Sequence, residues 1–472
     1  MATPNPTTVS TRKNRLFALG SNSQGQLGVG HRDDVDVPIP CRVIIGPPFS
    51  KGDDDNRAVK TDATWKAISP FLISTEWPGS IRKIVSGGNH TLILLESGIV
   101  YASGNPEALQ GAIHAKNLAI DSNKNLDPGA CFERVAWVLE SGKVVDRFKD
   151  VAATWTACFF VTANDCQIFN DGQSAHNAIK TISGTIWGCG RGGRGELGCG
   201  KDVATVTTPT RLAIFGTDSH EELSEENNAD VVRIAGNLQD IMSSLSHTVA
   251  TFVEPFGIYG WGASRKGQLG EELQAEKNVW TPKAIAEGEV GCFATARDHS
   301  LAVALGRDFS LLYDTVRSKD QQDRWWRLLG PDAVAGRTDR GLNNLFIGKC
   351  SESSDTQADN AGVTVHAGWS KLYLLEKSTG QVRGWGRSDL GQLLPHAPPR
   401  LRMMAAGSEH CVGLTISGRV VAWGWGEHGN CGRECDQLEN GYSVLNMPNV
   451  EDEMVTGIGA GCATTFLFTK SS

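Results

Sequence analysis

Ala405–Gly432 reads AAGSEHCVGLTISGRVVAWGWGEHGNCG. It holds a small-residue run ending in His410, an apolar strand, a Ser417-Gly418 turn, a second strand ending in Trp423-Gly424, and a glycine-rich close. The same order recurs along the chain. Val365–Leu393 is VHAGWSKLYLLEKSTGQVRGWGRSDLGQL, and Val85 opens VSGGNHTLILLESGIVYASGN, whose closing element has decayed to Ala108-Leu109-Gln110-Gly111. A copy begins near Val151 and resumes after an insertion as GTIWGCGRGGRGELG at Gly184–Gly198. Another spans Ile234–Gly270, and a weak copy reads CFATARDHSLAVAL from Cys292, then DFSLLYD at Asp308–Asp314.

The seventh copy is split. Arg15–Gly28, RLFALGSNSQGQLG, supplies only a second half, and Ile458–Phe468, IGAGCATTFLF, only a first half. Complementary halves at the two ends are what a ring needs to close by pairing its termini, which leaves only short, protected strand edges. The expectation is an all-β, seven-bladed β-propeller forming a single domain over residues 1–472, with blade one split between 15–30 and 455–470. Long insertions are expected near 31–80, 112–150, 216–230 and 315–362.

The motif has a physical reading. Thr91–Leu95 and Val420–Trp423 are apolar runs suited to strands packed between sheets. Ser97-Gly98 and Ser417-Gly418 sit where a tight hairpin needs positive φ. Trp187, Trp261, Trp385 and Trp423 share one repeat position, where a large ring can bury area between blades while its N–H finds a partner. The chain has 54 glycines, as many short strands and tight turns require.

Charge and composition exclude several classes. A net charge of −8 argues against a nucleic-acid surface, so no direct nucleic-acid contact is expected. No apolar run nears the roughly 18 residues of a membrane span. Met1–Ser10 lacks the apolar core of a signal peptide, so a cytoplasmic and nuclear location is expected. The 12 cysteines form no CxxC pair, and no metal site is expected.

Signals that look chemical have plainer readings. Gly188, Gly190 and Gly193, and again Gly424, Gly426 and Gly429, match G-x-G-x-x-G, but a dinucleotide fingerprint needs a following helix, and β-like sequence surrounds both. No cofactor is expected. His90, His247, His299 and His410 are aligned as one repeat position; identical positions diverge around a ring, so backbone bonding within each blade is favoured over metal ligation. There is no GxSxG and no HExxH, so no catalytic residue is named and a non-enzyme is expected.

Two groups are candidates for partner binding. Trp425, Glu427, His428 and Asn430 form a distinct polar set in the blade-seven loop, open to a contact role or to local turn chemistry. Trp325 and Trp326, flanked by Arg324 and Arg327, are residue types enriched in binding hot spots, but covering the weak fifth blade is the favoured reading and partner contact the alternative.

The repeated Gly-x-x-His, Trp-Gly and Gly-Gln-Leu-Gly elements resemble the regulator-of-chromosome-condensation repeat family over roughly two-thirds of the chain. Within it, GWGEHGNCG at Gly424–Gly432 and GAGCATTF at Gly459–Phe466 are most similar to the alpha-tubulin suppressor or killer-toxin-insensitivity subfamily. That resemblance implies a scaffold, monomeric or in a heterodimer, that binds a small zinc-binding protein of the diphthamide pathway. It implies support for diphthamide synthesis and Elongator-dependent wobble-uridine modification of transfer RNA. The alternative within the same family is guanine-nucleotide exchange on a Ran-like small GTPase. A light sensor built on clustered Trp, as in some plant members, is disfavoured because Trp369 is followed by Ser370 and Lys371, not by the repeated element those members carry.

Overall fold

In the computed structural model the described residues are 14–46, 72–113, 126–162, 165–168, 179–182, 184–212, 237–253, 256–285, 301–314, 326–331, 362–433, 441–448 and 453–471. Seven antiparallel sheets of three or four strands stand around a common axis. The innermost strands follow one another as Ile81–Ser86, Phe148–Ala153, Leu238–Ser243, Leu301–Leu305, Val363–Gly368, Leu401–Ala406 and Glu453–Ala460. Each packs against the next, and the last packs back against the first. The ring is closed.

Blade one joins the ends. Asn14–Gly20 pairs antiparallel with Thr464–Ser471, from Asn14 opposite Lys470 to Gly20 opposite Thr464. Val35–Pro40 and Glu453–Ala460 complete that sheet on its outer and inner sides.

The second strand of each blade is where sequence and burial agree most directly. His90–Leu95 and His410–Thr415 are buried along their whole length. Such strands lie in the middle of a sheet covered on both faces by neighbouring blades, so alternation gives way to a continuous apolar run. The core lies in the gaps between blades: one cluster links blades two to five, a second blades seven, one and two, and smaller ones lie between five and six and between six and seven. In blades one, two, three, four and seven the pairing of the inner strand slips at one equivalent place, as between Ile81 and Lys83 or Leu401 and Met403. A bulge there adds twist and re-aims side chains at the rim.

Blade five differs from its sequence alignment. Its inner strand is Leu301–Leu305, its second Ser310–Asp314 and its third Trp326–Leu329. The chain from Thr315 onward therefore supplies a blade strand, not only an insertion. Phe309 takes the repeat position assigned to His299, which lies outside the described residues. Two glycines fix this register: a Cβ on Gly306 would strike the Phe309 ring at 2.0 Å, as one on Gly407 would strike His410 at 2.4 Å. Blade five was illegible because neither its histidine nor its Trp-Gly element survives, and Leu329-Gly330 stands where Trp423-Gly424 stands.

Candidate partner-binding face

Each third strand ends in a glycine that cannot be replaced freely. Gly424 has φ 100°, and a Cβ there would sit 2.6 Å from the Glu409 carbonyl oxygen. Gly190 makes the same approach to Thr156, at 2.4 Å. These glycines of the two G-x-G-x-x-G matches are thus spent on strand packing, and a strand or turn follows each where a dinucleotide site would place a helix.

The turn after each third strand locks neighbouring blades together. The Trp261 indole N–H donates to the Glu196 carbonyl at 3.1 Å, and that of Trp423 to the Leu393 carbonyl at 3.4 Å, each from one blade to the closing turn of the blade before. Trp187 instead carries the Arg211 guanidinium over its ring at 4.9 Å. Trp385 is half-buried against the cluster between blades five and six.

The histidines act across blades, which corrects the expectation of bonding within each blade. The Ser310 hydroxyl donates to the Gln268 carbonyl at 2.6 Å, so its lone pair accepts from Nε2–H of His247 at 3.0 Å. Thr465 likewise donates to the Asn430 carbonyl at 2.8 Å and accepts from Nε2–H of His410 at 2.9 Å. Burial lowers His90 to about 4 and both His247 and His410 to about 3. His247 and His410 are thus neutral links between blades. In blade six Lys371 takes the histidine position, wholly buried, with its ammonium donating to Glu409 Oε2 at 2.6 Å.

All these closing turns emerge at one end of the ring, as do the turns between inner and second strands. The latter form a hydrogen-bonded rim. Gly88 N–H donates to Trp155, Trp155 to Leu245, Arg307 to Trp369, Trp369 to Ser408 and Ser408 to Gly461, at 2.7–3.1 Å. The Trp155 and Trp369 rings, from blades three and six, meet at 6.0 Å across this mouth of the axial channel. The channel encloses about 510 Å³ between walls such as Ile84, Val303, Val365 and Ile458.

On the same face stands the blade-seven loop. Trp425 and Glu427 are exposed, and His428 is half-buried with its ring 6.0 Å from that of Trp425. His428 Nδ1 lies 2.9 Å from Asp34 Oδ2, and Arg433 Nε lies 2.8 Å from Asp36 Oδ2, so the loop is pinned to blade one. Gly429 permits the approach, since a Cβ would sit 2.7 Å from the Asp36 Cα. Asn430 is buried and donates to the Trp425 carbonyl at 2.9 Å. It occupies the place of Gln26, Gln268 and Gln392, which are buried too. Asn430 braces the loop from within, while Trp425 and Glu427 face out.

Trp326 opens the third strand of blade five and packs, half-buried, on the cluster between blades five and six; Trp325 lies outside the described residues. Sequence reading missed Trp155 and Trp369 at the axis. Their signal was available: both stand where Gly88 stands in VSGGNH, a position that turns toward the axis.

Among the described residues no group of three or more His, Cys, Asp or Glu is placed to hold a metal ion. None of their helices is long and apolar enough to cross a membrane.

The Regulator of chromosome condensation (RCC1) repeat profile matches residues 13–61, 81–108 and 404–430. Those stretches carry RCC1 repeats, within a seven-bladed propeller. An RCC1 repeat-containing protein of Schizosaccharomyces pombe is 23% identical over 453 residues, covering 96% of this chain and 98% of that protein. The secretion-regulating guanine nucleotide exchange factor of Bos taurus is 23% identical, covering 88% and 75%. The crystal structure of Prp20p from Saccharomyces cerevisiae, described with its binding to Gsp1p and histones, superposes with a TM-score of 0.56 at 17% identity, covering 98% of this chain and 93% of that one. At that identity the likeness speaks for the RCC1-propeller fold alone.

Proposed function

We propose that this RCC1-repeat propeller is a non-catalytic scaffold of the cytosol and nucleus that binds protein partners through its loop face. The observation that carries this reading is the Gly424–Gly432 loop. It holds Trp425 and Glu427 outward on a closed ring, pinned to Asp34 and Asp36. A rigid scaffold that presents an aromatic anchor loses little freedom on binding. The finer reading is a small zinc-binding partner and support for diphthamide synthesis and Elongator-dependent wobble-uridine modification. It rests on the resemblance carried by GWGEHGNCG and GAGCATTF.

The test is purification of the tagged chain from its own cells, read by mass spectrometry. The expected result is a stoichiometric small zinc-binding protein, lost with Trp425→Ala or Glu427→Arg. Intact diphthamide and wobble-uridine modification after deletion would overturn the finer reading. The second reading, exchange on a Ran-like small GTPase, is favoured by the similarity to a named exchange factor. Accelerated nucleotide release from such a GTPase would establish it in place of the scaffold.

A further inference from the structure

The opposite end of the ring, where second and third strands join in hairpins, carries a patch that the fold does not need. Its core is Met454, Ile416 and Met403, respectively 65%, 58% and 37% exposed. Arg402 Nη2 crosses from blade seven to donate to the blade-one Val455 carbonyl at 2.8 Å, so the strands that carry Met403 and Met454 adjoin. Ile416 lies toward blade six at the same end, where a Cβ on Gly380 would sit 2.9 Å from its Cδ1. Ile416 N–H donates to the Arg400 carbonyl at 3.1 Å.

The repeat supplies its own control. The bulge position of Met403 holds Lys83, Asp150 and Asp240 in blades two, three and four. There Lys83 Nζ lies 2.8 Å from Asp150 and 3.6 Å from Asp240. The position of Met454, one residue before the pair that opens the bulge, holds Ser80, Arg147 and Asn237 in those blades. The position of Ile416 holds Glu96 in blade two and Lys377 in blade six, where the same N–H bonds recur, Glu96 to Ser80 and Lys377 to Gly362. Met403 and Ile416 in blade seven and Met454 in blade one thus show water large apolar groups at places where the compared blades carry polar ones.

Charge defines what fits. Arg400, Arg402 and Arg419 are exposed around the patch. Arg400 and Arg402 bond only backbone carbonyls, and none of the three has a carboxylate partner among the described residues. Three guanidinium groups with no carboxylate partner among the described residues stand out on a chain of net charge −8. Methionine and arginine are also residue types enriched where proteins meet.

We propose that the hairpin face of blades seven and one docks an acidic, apolar-bearing segment of a partner protein, its carboxylates on Arg400, Arg402 and Arg419 and its apolar side chains on Met403, Ile416 and Met454. This surface is separate from the loop face: Ile416 precedes, and Trp425 follows, the strand Val420–Gly424.

The experiment places photoreactive benzoylphenylalanine at position 416 of the full chain in its own cells, with position 96 as the equivalent control, and sequences the crosslinked segment. The expected crosslink forms at 416 and not at 96. It joins a net-acidic segment with large apolar residues, and falls about tenfold with Arg400→Glu and Arg419→Glu together, as like-charge juxtaposition requires. Circular dichroism reports whether that variant folds; if it does not, Met454→Ser is read instead and must lower the yield. Trp425→Ala leaves the crosslink intact. No signal above the control, a neutral or basic segment, a second copy of this chain, or loss with Trp425→Ala would overturn the proposal. The loop-face reading is tested separately, by recovery of its own partner with the Trp425 and Glu427 variants.

Discussion

Lys371 Nζ lies 2.6 Å from Glu409 Oε2, and both side chains are buried between blades six and seven. Lys371 stands where blades two, four and seven carry histidine, so blade six has replaced a neutral link with an ion pair. Burial lowers the Lys371 ammonium from its usual range, and the Glu409 carboxylate opposes that shift. The Gln392 amide adds a second donor to the same oxygen at 3.3 Å.

Removing one partner of a buried pair leaves the other charge uncompensated, whereas removing both does not. Glu409→Gln should therefore cost about 3–5 kcal/mol, and Glu409→Gln with Lys371→Met should cost far less. Urea unfolding of the two variants checks this. Equal losses in both would mean the pair contributes only packing.

Much of the ring was legible because its determinants are local. Trp423-Gly424, Ser417-Gly418 and the apolar second strand each answer a constraint that recurs in every blade. The complementary ends, Arg15–Gly28 and Ile458–Phe468, announced closure. What could not be read depends on contacts across blades. No motif says that His410 will meet Thr465, or that Trp155 will meet Trp369 more than 200 residues away. Asn430 looked like part of a polar surface because its neighbours Glu427 and His428 are; its burial follows from the three-dimensional equivalence with Gln26 and Gln268.

The Trp155–Trp369 contact joins blades that are not neighbours. Aromatic pairs at this spacing contribute about 0.5–1.5 kcal/mol beyond area burial. A double-mutant cycle with Trp155→Ala and Trp369→Ala should give a coupling in that range. Additive losses would show that the rings only share the mouth and do not brace it. Trp155 is 40% exposed, so its fluorescence should also respond when Trp369 alone is replaced.

Thr465 serves two neighbours at once, accepting from His410 and donating to the Asn430 carbonyl. Thr465→Val keeps the shape and strands a buried N–H and a buried carbonyl together. The expected loss is about 1–3 kcal/mol, with Thr465→Ser close to the parent. Equal stability of the valine and serine forms would remove the hydroxyl from the account.

Acid should open the ring through its histidines. His90, His247 and His410 are buried and His366 is half-buried, and desolvation puts them at about 4, 3, 3 and 4 in that order against an ordinary 6.5. The folded state thus resists protons that the unfolded chain accepts once the pH drops below about 6.5. Stability is whole above that value and falls as the pH descends toward the folded values, by about 1.4 kcal/mol per pH unit for each histidine engaged. Asp240 pulls the other way, since burial raises its carboxyl, but it is one group against four. Urea midpoints measured from pH 7.5 to 5 should decline steeply, and His247→Gln should flatten the slope by one proton. A level profile over that range would mean that the imidazoles are reached by water in the folded ring.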